Sequence, residues 1–162
     1  MSVLVSKRTE SKFEAITHSI ELHDILIDLI QRNFGVRDIE KFVRTRFSYS
    51  VEEDEYAKHR YLMHNFKSRV DQLASQLTSN VRAANSLYPT SMTEYERRRE
   101  YQNNAIVNCE QLIKELQRVV EIFDVDINLY NRYVKVIDRE IDLIKKWRQR
   151  DNKIKSHLQG NI

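Results

Sequence analysis

The chain has 162 residues, 31% charged and 41% hydrophobic, with a formal net charge of +3 and a pI near 8.9. That much apolar material excludes a disordered chain, and a domain of this size buries a full core without disulfides or metals. The single Cys109 excludes an intramolecular disulfide and a multi-cysteine zinc site.

Two glycines and one proline leave few turn signals, so the elements are long. Phe13, Ile16, Ile20, His23, Ile27, Ile30 and Phe34 recur in steps of three and four, which places one stripe on a helix over 11–33. Leu22, Leu26 and Leu29 widen it, Ser11 with Glu14 forms a capping box, and Asn33-Phe34-Gly35 supplies the stop. Val36, Ile39, Phe42 and Val43 predict a short helix over 36–47, broken by Ser48-Tyr49-Ser50. Ser50 with Glu53 caps a helix over 51–87 whose inner face carries Met63, Phe66, Val70, Leu73, Leu77, Val81 and Ala84. Pro89 ends it, because the residue before a proline avoids helical geometry.

The next helix spans 93–123, with Thr93 and Glu96 as its capping box and Ser91 with Glu94 as the competing pair. Its stripe is Ala105, Cys109, Leu112, Leu116, Val119 and Phe123. Asp126 caps a last helix over 127–150, marked by Tyr130, Val134, Ile137, Ile141, Ile144 and Trp147, after which the apolar pattern fades. No strand-like alternation and no internal repeat is present. The expectation is an all-α fold, an antiparallel up-down four-helix bundle with a short extra helix between helices one and two, as a single domain over 1–162.

No signal-peptide stretch opens the sequence, and no run approaches the ~20 apolar residues of a membrane span. Together with the lone cysteine, this predicts a cytoplasmic protein with no membrane partner.

An up-down topology brings the starts of helices one and three beside the ends of helices two and four. One end then gathers Lys7, Arg8 and Lys12, Arg82, Arg97, Arg98 and Arg99, and Lys145, Lys146, Arg148 and Arg150, with Asp151, Glu94, Glu96 and Glu100 as diluents. Clustered cations neutralise phosphates and release counterions. Cations near Lys145–Arg150 also suit a helix C-terminus, whereas Arg97–Arg99 sit in a first turn that the helix dipole opposes. Of the eight tyrosines, Tyr95 and Tyr101 flank the arginine cluster and are the candidates for base stacking.

The pattern offers little for catalysis. Di-metal bundles need Glu-x-x-His pairs, and none occurs; Glu14/His18 and Glu55/His59 are four apart, a spacing common among surface charges. His23 falls in the apolar stripe and reads as a core or interface histidine, and Cys109 as a buried thiol. Two glycines build no phosphate loop, so no cofactor and no enzyme activity is expected.

The most distinctive stretch is Ala83-Ala84-Asn85-Ser86-Leu87-Tyr88-Pro89-Thr90, followed by Glu94, Arg97-Arg98-Arg99, Tyr101-Gln102, Ala105-Ile106, Cys109, Leu112 and Glu115-Leu116. Together with Ile141, Ile144-Lys145 and Trp147-Arg148, it resembles a family of small bacterial and phage four-helix proteins, the accessory variability determinants of diversity-generating retroelements. The resemblance covers about residues 60–150, with the first helix matching loosely. It implies a homo-oligomer, a pentameric barrel with a basic surface, that binds a reverse transcriptase and structured template RNA and performs no catalysis. Arg97, Arg98, Arg99, Lys145 and Arg148 are the positions it marks for RNA contact. The stretch 36–60 is longer than the link that such proteins place between their first two helices. The competing reading is a structural or adaptor bundle that assembles with proteins and binds no nucleic acid.

Overall fold

The computed structural model describes residues 3–46 and 52–160, and the side chains of 14–46 and 53–160. The described residues form five α-helices: α1 (Val3–Gln31), α2 (Ile39–Arg46), α3 (Glu52–Ser86), α4 (Met92–Phe123) and α5 (Asn128–Gly160), with a 3-10 turn at Asn33–Gly35 after α1. No strand occurs among them. The break at Ser48-Tyr49-Ser50, the cap at Ser50, and the side chains of Lys7, Arg8, Ser11, Lys12 and Phe13 lie outside the described residues.

The four long helices pack as a ring of neighbours: α1 on α3 and α5, and α4 on α3 and α5, with α2 laid against α3. Side-chain pairs set the registers. Arg69 reaches Glu115 at 3.1 Å and Asn80 donates to Asn108 at 2.8 Å, so numbers that rise along α3 fall along α4. One contiguous core fills the middle. Phe66, Val70, Ala74 and Leu77 of α3 meet Ala105, Cys109, Leu112 and Leu116 of α4 and Ile137 and Ile144 of α5. Apart from Ala74, fully buried where the sequence stripe ran through the partly buried Leu73, these positions follow the three- and four-residue steps read from the sequence.

The phase of α1 differs from expectation. Its buried line is Ala15, Leu22, Leu26 and Leu29, with Ile20 exposed and His23 half-buried. The isoleucine stripe has the right period but points to one side of the core. The buried line was obscured because it passes through His18 and Ser19. Both are satisfied where they sit: His18 Nδ1 lies 2.7 Å from Glu140 Oε2, and the Ser19 hydroxyl donates to the Ile16 carbonyl. A polar residue with its partner supplied can occupy a core position at little cost.

Helix ends show three further differences, the first being that α2 begins at Ile39 and not at 36, with Asp38 accepting from the Lys41 N–H. Backbone helix begins at Val3, so Ser11 does not start α1. The last helix continues ten residues beyond 150, to Gly160. Trp147, Asp151, Ile154 and Leu158 keep the inward stripe going, and the carboxylate at 151 made it look finished. At the start of α4 the Ser91 hydroxyl accepts from Glu94 N, and the Glu94 carboxylate accepts from the Thr90 N–H and hydroxyl, so the Ser91–Glu94 pair is the cap in use. Those Thr90 bonds, the backbone one first, hold the Glu94 carboxyl below its ordinary range. Asp126 caps α5 by accepting from Asn128 N at 2.9 Å.

No helix among the described residues is long and apolar enough to cross a membrane.

Candidate nucleic-acid interface

The arginine run at 97–99 turns through three faces of α4, since successive residues on a helix sit about 100° apart. Arg97 points to solvent, Arg98 into the protein, and Arg99 toward α5. Only 4% of Arg98 is exposed. Its Nε donates to Asp151 Oδ2 at 2.7 Å, its Nη2 to Asp151 Oδ1 at 2.8 Å, and its Nη1 to the Leu87 carbonyl at 2.9 Å. Gln102 donates to the same carboxylate at 2.9 Å, and the guanidinium lies 5.2 Å above the Trp147 ring. This clamp ties the end of α3 to α4 and α5. Arg98 is therefore turned away from solvent, with three of its five N–H donors already bonded, and is not placed to reach a phosphate in this fold. Asp151 is its partner, not a surface diluent.

The clamp orients what lies beside it. A shallow open groove between α4 and α5 is lined by Arg99, Lys145, Lys146 and Arg148, by Asn103, Gln149 and Asn152, and by one carboxylate, Asp142. Arg99 is braced in it: its Nη2 donates to Tyr95 Oη at 2.9 Å and Asn152 Oδ1 at 2.6 Å. Arg148 is braced from the other wall, donating to Asn103 Oδ1 at 2.7 Å, while its Nε is buried with no hydrogen-bond partner among the described residues. Lys145 and Lys146 are exposed and make no salt bridge among the described residues. Two held arginines and two exposed lysines facing one carboxylate form a cationic trough.

Four of the eight candidate contacts thus share a groove. Arg82, Arg97 and Arg150 are exposed but do not line it, and Lys7, Arg8 and Lys12 fall outside the described side chains. Asn103, Gln149 and Asn152 were not singled out from the sequence. The signal was present in the helical spacing of Arg99 to Asn103, and of Lys145 to Gln149 to Asn152, each step three or four residues. Tyr95 is not a stacking platform, because it is buried and its ring carries Arg99 at 5.6 Å. Tyr101 is half-buried against the core. Among the described residues the aromatic rings most open to solvent are Tyr88, 82% exposed, and Tyr61, 66% exposed.

The remaining chemical candidates are structural in their surroundings. His18 pairs with Glu140 on α5 and not with Glu14. His59 is buried against Phe42 and Phe123, with its Nδ1 2.7 Å from the Glu55 carbonyl oxygen. His23 is half-buried, with its Nε2 3.4 Å from Asp71. Burial first, then the nearby carboxylates of Glu140, Glu110 and Asp138, pushes the Cys109 thiol far above its ordinary range. No group of three His, Cys, Asp or Glu side chains among the described residues is placed to hold a metal ion.

Comparison with protein-family models, curated proteins and solved structures finds no match to this chain.

Proposed function

We propose that the protein is a non-catalytic nucleic-acid-binding accessory factor, built as an antiparallel up-down four-helix bundle, that uses the α4–α5 groove to hold RNA. The observation that carries this reading is the groove itself: Arg99, Lys145, Lys146 and Arg148 face solvent together with one opposing carboxylate. Cations so placed bind the phosphate backbone with little regard to sequence, and the amides between them suit sugar and phosphate oxygens. The resemblance in residues 83–116 and 141–148 narrows the proposal. It points to the template RNA and reverse transcriptase of a diversity-generating retroelement, and to a homo-oligomer, a pentamer, acting in the cytoplasm.

The test is binding of the purified protein to structured RNA across a salt titration, with molar mass determined by light scattering in the same run. Tight, salt-dependent binding by an oligomer, lost when Arg99, Lys145 and Lys146 are together changed to Ala, supports the reading. Absence of binding at low salt removes it and leaves an adaptor bundle that assembles with proteins. Within α2, Val43 is fully buried and Phe42 packs on His59 and Phe123, so neither offers such an adaptor an apolar contact.

A further inference from the structure

A second cationic site lies at the opposite end of α5, where the turn after α1 meets the first residues of α5. A cavity of about 650 Å³ opens there, within the roughly 300–1,000 Å³ typical of small-molecule sites. Three arginines, Arg32, Arg37 and Arg132, line it, and no carboxylate does. None of the three makes a salt bridge among the described residues. Arg132 is fixed in place: its guanidinium lies 4.7 Å over the Tyr133 ring and donates to the Tyr133 hydroxyl at 2.8 Å. A guanidinium held in this way loses little entropy when it meets an anion.

Apart from Asn128 and the backbone of Gly35, the rest of the lining is apolar or aromatic. Leu29, Phe34 and Tyr130 are buried beneath the arginines, and Leu129 stands at the lip, 56% exposed. The wall formed by Asn33-Phe34-Gly35 is unusual, with three successive residues at φ of 52°, 55° and 83°. Phe34 gains nothing locally from this left-handed geometry. It is held there by burial of its ring and by the Tyr130 hydroxyl, which donates to its carbonyl oxygen. Strain of this kind, over-determined by its surroundings, collects at ligand sites.

We infer that this cavity binds a nucleoside diphosphate, with the phosphates among Arg32, Arg37 and Arg132 and the base over the apolar floor. The charge balance selects the class. A carboxylate leaves two of the three guanidinium groups uncompensated, whereas a monophosphate ester already carries about 1.5 to 2 negative charges and a diphosphate more. The apolar floor and exposed Leu129 favour a flat organic body over a bare inorganic anion. The site is separate from the α4–α5 groove and does not depend on RNA binding there.

Isothermal titration of the purified full chain with ADP, adenosine and inorganic phosphate tests this. The expected result is saturable ADP binding, weakened about tenfold by Arg37→Ala and by Arg132→Ala, as loss of one charge-assisted contact implies. Lys114→Ala, an exposed lysine on α4 that lines neither cationic site, leaves it unchanged. Adenosine and inorganic phosphate should each bind at least about tenfold more weakly than ADP, because each offers half of the recognition. Arg37 is exposed and supports no packing, so its variant folds and its result stands whatever becomes of Arg132→Ala. No saturable binding of ADP overturns the inference. So does ADP binding that Arg37→Ala leaves unaltered, or inorganic phosphate that binds as tightly as ADP.

Discussion

Arg98 and Arg99 are neighbours in sequence with opposite physical roles. Arg98 is buried against Asp151, Gln102 and Trp147, while Arg99 is braced at the rim of a groove. Removing one partner of a buried ion pair leaves the other charge unpaired out of water, at a cost of about 3–5 kcal/mol. Arg98→Ala and Asp151→Ala should each lower stability by that order in urea denaturation. Arg99→Ala should change stability little and act on RNA affinity. A mild effect of Arg98→Ala would show that the clamp is open in solution.

Glu140 is the other residue whose surroundings matter more than its identity. It is fully buried, shares a hydrogen bond with His18 Nδ1, and has Oε1 without a partner among the described residues. Burial raises its carboxyl above the ordinary range, against the lowering pull of the His18 bond and charge. A raised folded-state value favours the protonated form in the fold. That stabilising contribution is complete below the unfolded value and is lost as pH rises through the folded one. Wild type should therefore lose stability relative to Glu140→Gln as pH climbs above the ordinary glutamate value of about 4. Thermal melts at rising pH measure the difference. Parallel curves would mean that Glu140 ionises as freely as in water.

Among the elements, the turn after α1 is the least ordinary. Asn33 and Phe34 hold positive φ without being glycine, and Gly35 completes the reversal that sends the chain into α2. Tyr130 reaches across from α5 to hold the Phe34 carbonyl, and burial pushes its hydroxyl up in pKa, so it remains a donor throughout the usual pH range. Tyr130→Phe removes the donor and leaves a buried carbonyl unpaired, at a cost of about 1–3 kcal/mol. The loss should appear in the unfolding free energy and as faster hydrogen exchange at Gly35 and Val36, whose amides close this turn. The Asn-Phe-Gly tripeptide announced a helix stop. The apolar stripe already included Phe34, but nothing local announced its positive φ or the bond to its carbonyl from Tyr130, ninety-six residues away.

At the scale of the whole molecule, the charge layout is two cationic sites near the two ends of α5: the trough around Lys145–Asn152 and the cavity at Arg132. If RNA lies in the trough, each groove cation neutralises about one phosphate. The slope of log affinity against log salt should then fall by about 0.7 for each residue changed to Ala on a single strand, or by about 0.9 on a duplex. The Arg99, Lys145 and Lys146 triple variant should flatten the slope three times as much as any single one, read from the same salt titration. An unchanged slope would place the phosphates elsewhere.

The sequence by itself determined that the protein is helical, roughly where four long helices lie, and which faces of α3, α4 and α5 go inward. Those features are local: the period of apolar residues, caps such as Ser91 and Asp126, and the stop at Pro89 act within a few residues. Only the tertiary structure decided the phase of α1, the length of α5 and the fate of Arg98. In each case a polar residue stands in the buried stripe, and whether it ends the stripe or completes it depends on a partner supplied by another helix. Glu140 makes His18 a core residue, and Arg98 makes Asp151 one. Burial of a charge is permitted only by its distant partner, so linear pattern cannot reveal it.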